Sequence, residues 1–211
     1  MEPFHRLRAV ACPLSLSSID TDQLLPARFM KRTRAEGYGP VLLHDMRFDN
    51  DGRPLADFPL NQPEHGGAQV IVARRNFGCG SSREAAVYAL VDYGIRCVIA
   101  PSFGDIFASN SVNNGLLPAR VSDVDAEGLL ADLTHGPSIL TVDLEAKLIE
   151  TERRRVSFDI APAWRAKLLN GWDDIDLTLS HREAITAFIH DDTARRPWAR
   201  PHLPASKDPT T

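Results

Sequence analysis

The chain has only three cysteines in 211 residues, Cys12, Cys79 and Cys97. They are too few and too widely spaced for a disulfide framework. Nor do they offer the closely spaced thiolates by which an iron–sulfur cluster is usually held. C-x-x-C pairs, an H-E-x-x-H helix and Cys/His groups at zinc spacing are all absent, which excludes the common zinc sites. Any metal that the function needs is therefore expected on another chain, and no metal site is expected here. No segment approaches the roughly 20 apolar residues of a membrane span. The opening MEPFHRLRAVACPL has no apolar stretch of signal-peptide length. A long basic run is missing too: the net charge is −4 with Lys and Arg scattered, so neither nucleic acid nor an anionic membrane is an expected partner. These absences together predict a cytoplasmic protein.

What is present suits one soluble core: 43% apolar and 25% charged residues, in a chain short for two full domains. Apolar runs rich in β-branched residues mark buried strands at 8–14, 69–75, 96–101 and 116–121. Between them, REAAVYALVDY has helical composition and stops at Gly94, and a second helix is expected over 104–112 with Asn113-Asn114-Gly115 as its stop. Strand, helix, strand, helix, strand at this spacing is a βαβαβ unit with a parallel sheet. Downstream the pattern predicts a helix over 123–133, a strand over 138–144, a β-hairpin through LIETERRRVSFDI, and helices in APAWRAKLLNG and SHREAITAFIHDD. Residues 28–68 read as irregular, and the proline-rich tail from Arg195 as extended or disordered. The expected fold class is thus a single α/β domain over residues 1–194, with a mostly parallel βαβαβ core, packed helices and a hairpin, followed by a tail over 195–211.

The informative segment is Asn76-Phe77-Gly78-Cys79-Gly80-Ser81-Ser82-Arg83-Glu84. It falls where a buried strand ends and a helix begins, the place where open α/β sheets bind ligands. Its glycines admit close backbone approach. The free N–H groups of a helix start favour an anion, and Arg83 adds a planar fork suited to a carboxylate. Taken alone this describes a carboxylate or phosphate site without naming a reaction. A purely structural reading stands beside it: Ser81-Ser82-Arg83-Glu84 fits the S-x-x-E capping box, as does Ser180-His181-Arg182-Glu183. G-x-G-x-x-G fails because Arg83 stands at the third glycine, and P-loop and G-x-S-x-G patterns are missing. Cys79, beside glycines, reads as a small buried residue, and Asp20 as a turn or capping aspartate. The seven histidines form no cluster, so none is assigned a catalytic role.

NFGCGSSRE, followed by VDYGIRCVIAPSFGDIFASNSVNNGLLPARV, resembles the swivelling domain of the aconitase superfamily, most closely the small subunits of isopropylmalate isomerases. Ile19-Asp20-Thr21-Asp22-Gln23-Leu24-Leu25-Pro26 resembles that family's D-T-D-x-I-I-P motif. GYGPVLLHDMRFD and GWDDIDLTL also follow its pattern, so the likeness runs in order from about residue 7 to about residue 190. It implies a hydro-lyase subunit of leucine biosynthesis, active with a cluster-bearing large subunit on a small dicarboxylate. It places Ser81 as the base that takes a proton from the substrate carbon, Asp22 in the active site, and Arg83 with Ser82 and Gly80 at a substrate carboxylate. The loop with Arg28, Lys31 and Arg32 falls where relatives select the substrate's variable group. No cofactor is implied on this chain; a 4Fe–4S cluster is implied on the large subunit. The sequence departs from the family where relatives commonly read H-A-P-W after S-S-R-E: here Ala85, Ala86, Val87 and Tyr88 follow. That departure, with the basic loop, leaves open a sister hydratase acting on a methylmalate, dimethylmalate or homoaconitate-type diacid. A non-catalytic anion-binding module is the reading from a different class.

Overall fold

The structure, a computed structural model, describes residues 1–134 and 139–199. It divides into two compact units, Met1–Asp173 and Asp174–Thr211. In the first, β1 (Arg6–Leu14) leads into α1 (Thr21–Leu24) and α2 (His44–Arg47). The predicted βαβαβ unit follows as β2 (Val70–Ala73), α3 (Glu84–Tyr93), β3 (Cys97–Ala100), α4 (Asp105–Asn113) and β4 (Leu117–Arg120). Then come α5 (Asp123–Thr134), β5 (Ile139–Asp143), the hairpin of β6 (Leu148–Glu150) and β7 (Arg155–Ser157), and α6 (Pro162–Asn170). The second unit contains α7 (Asp174–Leu179) and α8 (Arg182–Arg195), which runs three residues beyond its expected end at Asp192. α7 falls where the periodicity predicts no element. The expected extended tail is contradicted at its start, where Arg195 still belongs to α8 and Pro197–Ala199 forms a 3-10 turn; from residue 200 on it lies outside the described residues, as does the expected start of β5 at residue 138. No helix among the described residues is long and apolar enough to cross a membrane.

One seven-stranded sheet runs in the order β4-β3-β2-β1-β5-β6-β7, with β1 to β4 mutually parallel and β1·β5, β5·β6 and β6·β7 antiparallel. Strands β2 and β3 read as unbroken apolar runs because both sheet faces are covered there. Ala11, Val70, Val72, Cys97 and Ile99 face one core, which α5 closes with Ala126, Leu129, Leu130 and Leu133. Cys12, Leu14, Ile71, Ala73 and Val98 face the other, closed by α3 through Ala86, Val87, Ala89 and Leu90. Each fully buried Leu or Ile contributes about 2 kcal/mol from area removed from water. The stretch over 28–68, irregular as expected apart from 3-10 turns and α2, supplies Val41, Leu42, Leu43 and Leu60 to the second core.

Strand β1 divides its pairing. Arg6–Val10 lies against β5 and Ala11–Leu14 against β2. Val10 accepts from Gln69 N–H at 3.0 Å, so Val10 and Cys12 turn their backbone groups towards β2, and alternate residues turn theirs away. Pro13 belongs to the second set, three residues beyond Val10, whose partner Ile139 is the first described residue of β5.

Three local expectations need correction. α3 starts at Glu84 with Arg83 as its N-cap, without a side-chain cap bond. Ser81 lies too far upstream to cap it, because its carbonyl is drawn into contacts with Thr21 and the Arg83 N–H. Likewise α8 is capped by the backbone of His181, while the Ser180 hydroxyl donates to Leu177 O at 2.6 Å. Cys79 is half-buried rather than buried. Asp20 does cap a helix: its carboxylate accepts from Gln23 N–H at 2.7 Å and the Gln23 side chain returns to Asp20 N–H at 2.9 Å, a complete capping box on α1.

Two features make testable demands on stability. Gly78 has φ +69° in the turn after β2, and a Cβ there would overlap the Phe107 ring of α4. Gly78→Ala should cost about 3 kcal/mol, from strain and overpacking together; a shift in denaturant midpoint under half that size would refute the fit. On α5, Asp132 is 7% exposed and accepts from Arg154 Nη2 at 3.0 Å and from the Thr151 hydroxyl at 3.0 Å. The Arg154 guanidinium, and less so Thr151, holds the Asp132 carboxyl below its ordinary value. A lowered carboxyl stabilises the fold above its unfolded pKa, and that stability is lost as pH falls through the lowered value. Asp132→Asn should flatten the acid limb of stability below about pH 4. Parallel wild-type and variant curves in urea melts over that range would show the pair to be silent.

Candidate active site

The loops after β1, β2 and β3 leave the C-terminal ends of parallel strands and meet. Their junction is backbone to backbone. Gly78 N–H donates to Ile19 O at 2.7 Å and Thr21 N–H to Cys79 O at 2.9 Å, with Asp20 and Cys79 forming a parallel bridge. On the other side Phe77 N–H donates to Ser102 O at 3.0 Å and Gly104 N–H to Phe77 O at 2.9 Å. Phe77, Phe103 and Phe107 form an aromatic cluster beneath, Phe77 meeting Phe107 edge-on at 5.4 Å. Gly104 lets the third loop close, since a Cβ there would strike Gly78 O. The glycine-rich segment is thus held from both sides over a packed base.

On that base stand the residues singled out from sequence. Gly80, at φ +92°, lies so close to the α1 turn that a Cβ would sit 3.5 Å from both Asp20 Cβ and Thr21 Oγ1. Ser81 and Ser82 are exposed at the crest. The Ser81 carbonyl accepts from the Thr21 hydroxyl at 2.9 Å and from Arg83 N–H at 2.8 Å. The Arg83 guanidinium is mostly covered, with 18% of its side chain accessible, and pairs with Asp22. Asp22 and Arg83 are 61 residues apart in sequence, and the α1 turn brings them together. The structure therefore assembles Asp22, Gly80, Ser81, Ser82 and Arg83 in one place, open on its outer side.

The basic loop is arranged differently. Arg28 lies in a 3-10 turn over Ala27–Lys31 and pairs with Asp45 at the start of α2. This bond holds the Asp45 carboxyl down at about 2. Arg28 and Arg32 lie over the Phe29 ring at 4.5 and 5.8 Å, and His44 packs against the same ring at 4.8 Å. Arg32 Nη1 donates to Gly37 O at 3.4 Å, while Lys31 is exposed. Further along, Arg34 pairs with Asp92 of α3 and lies 4.2 Å over the Tyr88 ring. Asp92 also accepts Tyr38 N–H at 2.8 Å, and the Tyr38 hydroxyl returns to Arg32 O at 2.7 Å. The loop is fastened to the helix that follows Ser81 and Arg83 through Arg34, a member of the basic run, and through Asp92, Tyr88 and Tyr38, which composition and spacing do not single out. Thr21 is a further residue of this kind: it lies inside the D-T-D signature, but its burial, 1% exposed, is not written in the motif.

The donor set for a cluster is poor. Cys12 and Cys97 lie on opposite faces of the sheet, in separate cores. Burial pushes the Cys12 thiol up to about 12 and raises the Cys97 thiol as well, as in inert structural cysteines. Among the described residues no three His, Cys, Asp or Glu side chains gather at metal distance. The described residues do not fit an iron–sulfur cluster.

Comparison with known proteins agrees with this architecture. The Aconitase C-terminal domain family matches residues 1–124. The 3-isopropylmalate dehydratase small subunit of Rhodospirillum centenum is 46% identical over 201 residues, covering 94% of this chain and 99% of that one. That of Shouchella clausii is 44% identical over 194 residues, covering 92% and 98%. Among solved structures, the 3-isopropylmalate dehydratase LeuD of Methanocaldococcus jannaschii superposes with a TM-score of 0.61 at 27% identity, over 86% of this chain and 98% of that one. On the matched family domain and on near full-length identity of this order, the chain belongs to the aconitase family, among the small subunits of 3-isopropylmalate dehydratase.

Proposed function

We propose that this chain, with a separate large subunit, interconverts 2-isopropylmalate and 3-isopropylmalate by dehydration to 2-isopropylmaleate and rehydration, as a cytoplasmic enzyme of leucine biosynthesis. The observation that carries the reading is the meeting of Ser81 and Arg83, on the glycine-rich loop, with Asp22 of α1, in a chain that matches dehydratase small subunits over 94% of its length. Arg83 receives a substrate carboxylate through its planar fork, and Asp22 orients that fork from behind. Gly80 and Ser82 give the carboxylate a close backbone approach. Ser81, as its alkoxide, takes the proton from the substrate carbon and becomes a neutral hydroxyl; the electron pair left behind forms the double bond as hydroxide leaves the neighbouring carbon, on the side where the companion chain would supply a Lewis acid to receive it. In the reverse direction Ser81 returns that proton.

A serine oxygen acts as a base only where water is excluded and positive charge is near. Arg83 and the start of α3 supply the charge. Exclusion of water is the task of a companion chain, because Gly80, Ser81 and Ser82 are exposed here. The 4Fe–4S cluster expected for the reaction belongs to that companion, in keeping with the unsuitable thiols of this one. The loop carrying Arg28, Lys31 and Arg32 faces the variable group of the substrate. With Arg28 paired to Asp45 and Arg34 to Asp92, much of its charge is already neutralised, which supports an apolar substituent over a third carboxylate.

Co-expression with a cluster-bearing large subunit, followed by an anaerobic assay, tests the proposal. Turnover of 2-isopropylmalate should exceed that of methylmalate, dimethylmalate and homoaconitate; preference for one of these would reassign the substrate, and inactivity on all would remove the enzyme reading. Ser81→Ala should lower kcat by about a thousandfold or more, within the range for loss of a proton-transfer group, with the two chains still co-eluting. Near-normal turnover in that variant would overturn Ser81 as the base. Arg83→Lys should raise KM about tenfold, since a point charge cannot replace a two-pronged contact; an unchanged KM would remove the carboxylate from Arg83.

A further inference from the structure

Gly80 is the weak point of the loop. It has no side chain to hold it, its φ of +92° is one of several that glycine adopts freely, and it immediately precedes Ser81. Thr21 grips the chain on both sides of it. The Thr21 N–H donates to Cys79 O at 2.9 Å and its hydroxyl donates to Ser81 O at 2.9 Å. Thr21 is 1% exposed, so water does not compete for either bond, and it stands at the first turn of a helix closed by the Asp20–Gln23 capping box. We infer that Thr21 is a positioning residue, whose buried hydroxyl fixes the Ser81–Ser82 peptide and thereby aims the Ser81 oxygen.

The chemistry follows from peptide planarity. The Ser81 carbonyl lies in one rigid plane with the next N–H and both flanking Cα atoms. Holding that oxygen from Thr21, with Arg83 N–H as the second donor at 2.8 Å, sets the direction of the Ser81 Cα–Cβ bond. Without the Thr21 hydroxyl the Cys79 bond persists but Gly80 regains its torsional freedom, and a displacement of about 1 Å at a reacting atom is enough to cost about a hundredfold in rate. The Arg83–Asp22 ion pair is made between other side-chain atoms, which the Thr21 hydroxyl does not touch, so carboxylate binding is retained. The expected signature is a fall in kcat without a rise in KM.

This inference rests on Ser81 as the base, and the test separates the two. Thr21→Val keeps the shape and removes the hydroxyl; Thr21→Ser keeps the hydroxyl. In the reconstituted two-chain enzyme, Thr21→Val should lower kcat by about tenfold to a hundredfold with KM within about twofold, and Thr21→Ser should recover most of the loss. Thr134→Val, which removes a hydroxyl bonded to Leu130 O on α5, serves as the remote control and should match the parent enzyme. Unchanged kcat in Thr21→Val, a Thr21→Ser variant no better than Thr21→Val, or a loss confined to KM would each overturn the role. Should the valine variant not assemble, Thr21→Ala replaces it, with the same fall in kcat expected and the same results overturning the role. A Ser81→Ala enzyme that still turns over would instead remove the base assignment, whatever Thr21 does.

Discussion

The short set of bonds that ties residues 19–21 to residues 78–81 is the constraint on which the site depends. A glycine-rich loop has little conformational preference of its own, and its precision has to be borrowed. Here one lender is the loop after β1, stiffened by its capped turn, and the other is the loop after β3, seated on Phe103 and Phe107. Both loops leave the strands that flank β2 in the sheet, so the position of Ser81 inherits the rigidity of the sheet. The ion pair between Asp22 and Arg83 is a result of this junction rather than its cause. Exposed on the Asp22 side, it would hold little by itself.

The same economy governs charge. The segment from Arg28 to Arg34 looks strongly basic along the chain, yet in space Arg28 meets Asp45 and Arg34 meets Asp92. Two guanidinium planes also lie over the Phe29 ring and one over Tyr88. A sequence count of cations therefore overstates the field that a substrate would meet. It also explains how a segment with few regular hydrogen bonds holds one conformation: stacked planes and paired charges replace the ladder that a strand or helix would provide.

Much of the fold was legible because its signals are local. The runs at β2, β3 and β4 are apolar on both faces, Gly94 ends α3 in the left-handed region at φ +108°, and Asn114 caps the end of α4. The failures are equally physical. Ser81 to Glu84 has the spacing of a capping box, but spacing does not report backbone torsion, and the serine is pulled away by Thr21. The stretch over 28–68 carries no period because its 3-10 turns are too short to repeat one, although Leu42 and Leu43 are fully buried. Site residues came from the family likeness on the D-T-D and G-S-S-R signatures. The pairs Arg34–Asp92 and Thr21–Ser81 join positions 58 and 60 residues apart, a distance that composition and spacing do not bridge.

Strand β1 has a consequence for how the chain is made. It is synthesised before both of its partners, and its two edges are filled by residues 70–73 on one side and 139–143 on the other. The strand is thus a template that waits, half-satisfied after β2 and complete only once β5 has been translated. Long-range pairing of this kind slows folding and prolongs exposure of an apolar edge. The two halves of the sheet are consequently joined in time as well as in space by the nine residues of β1.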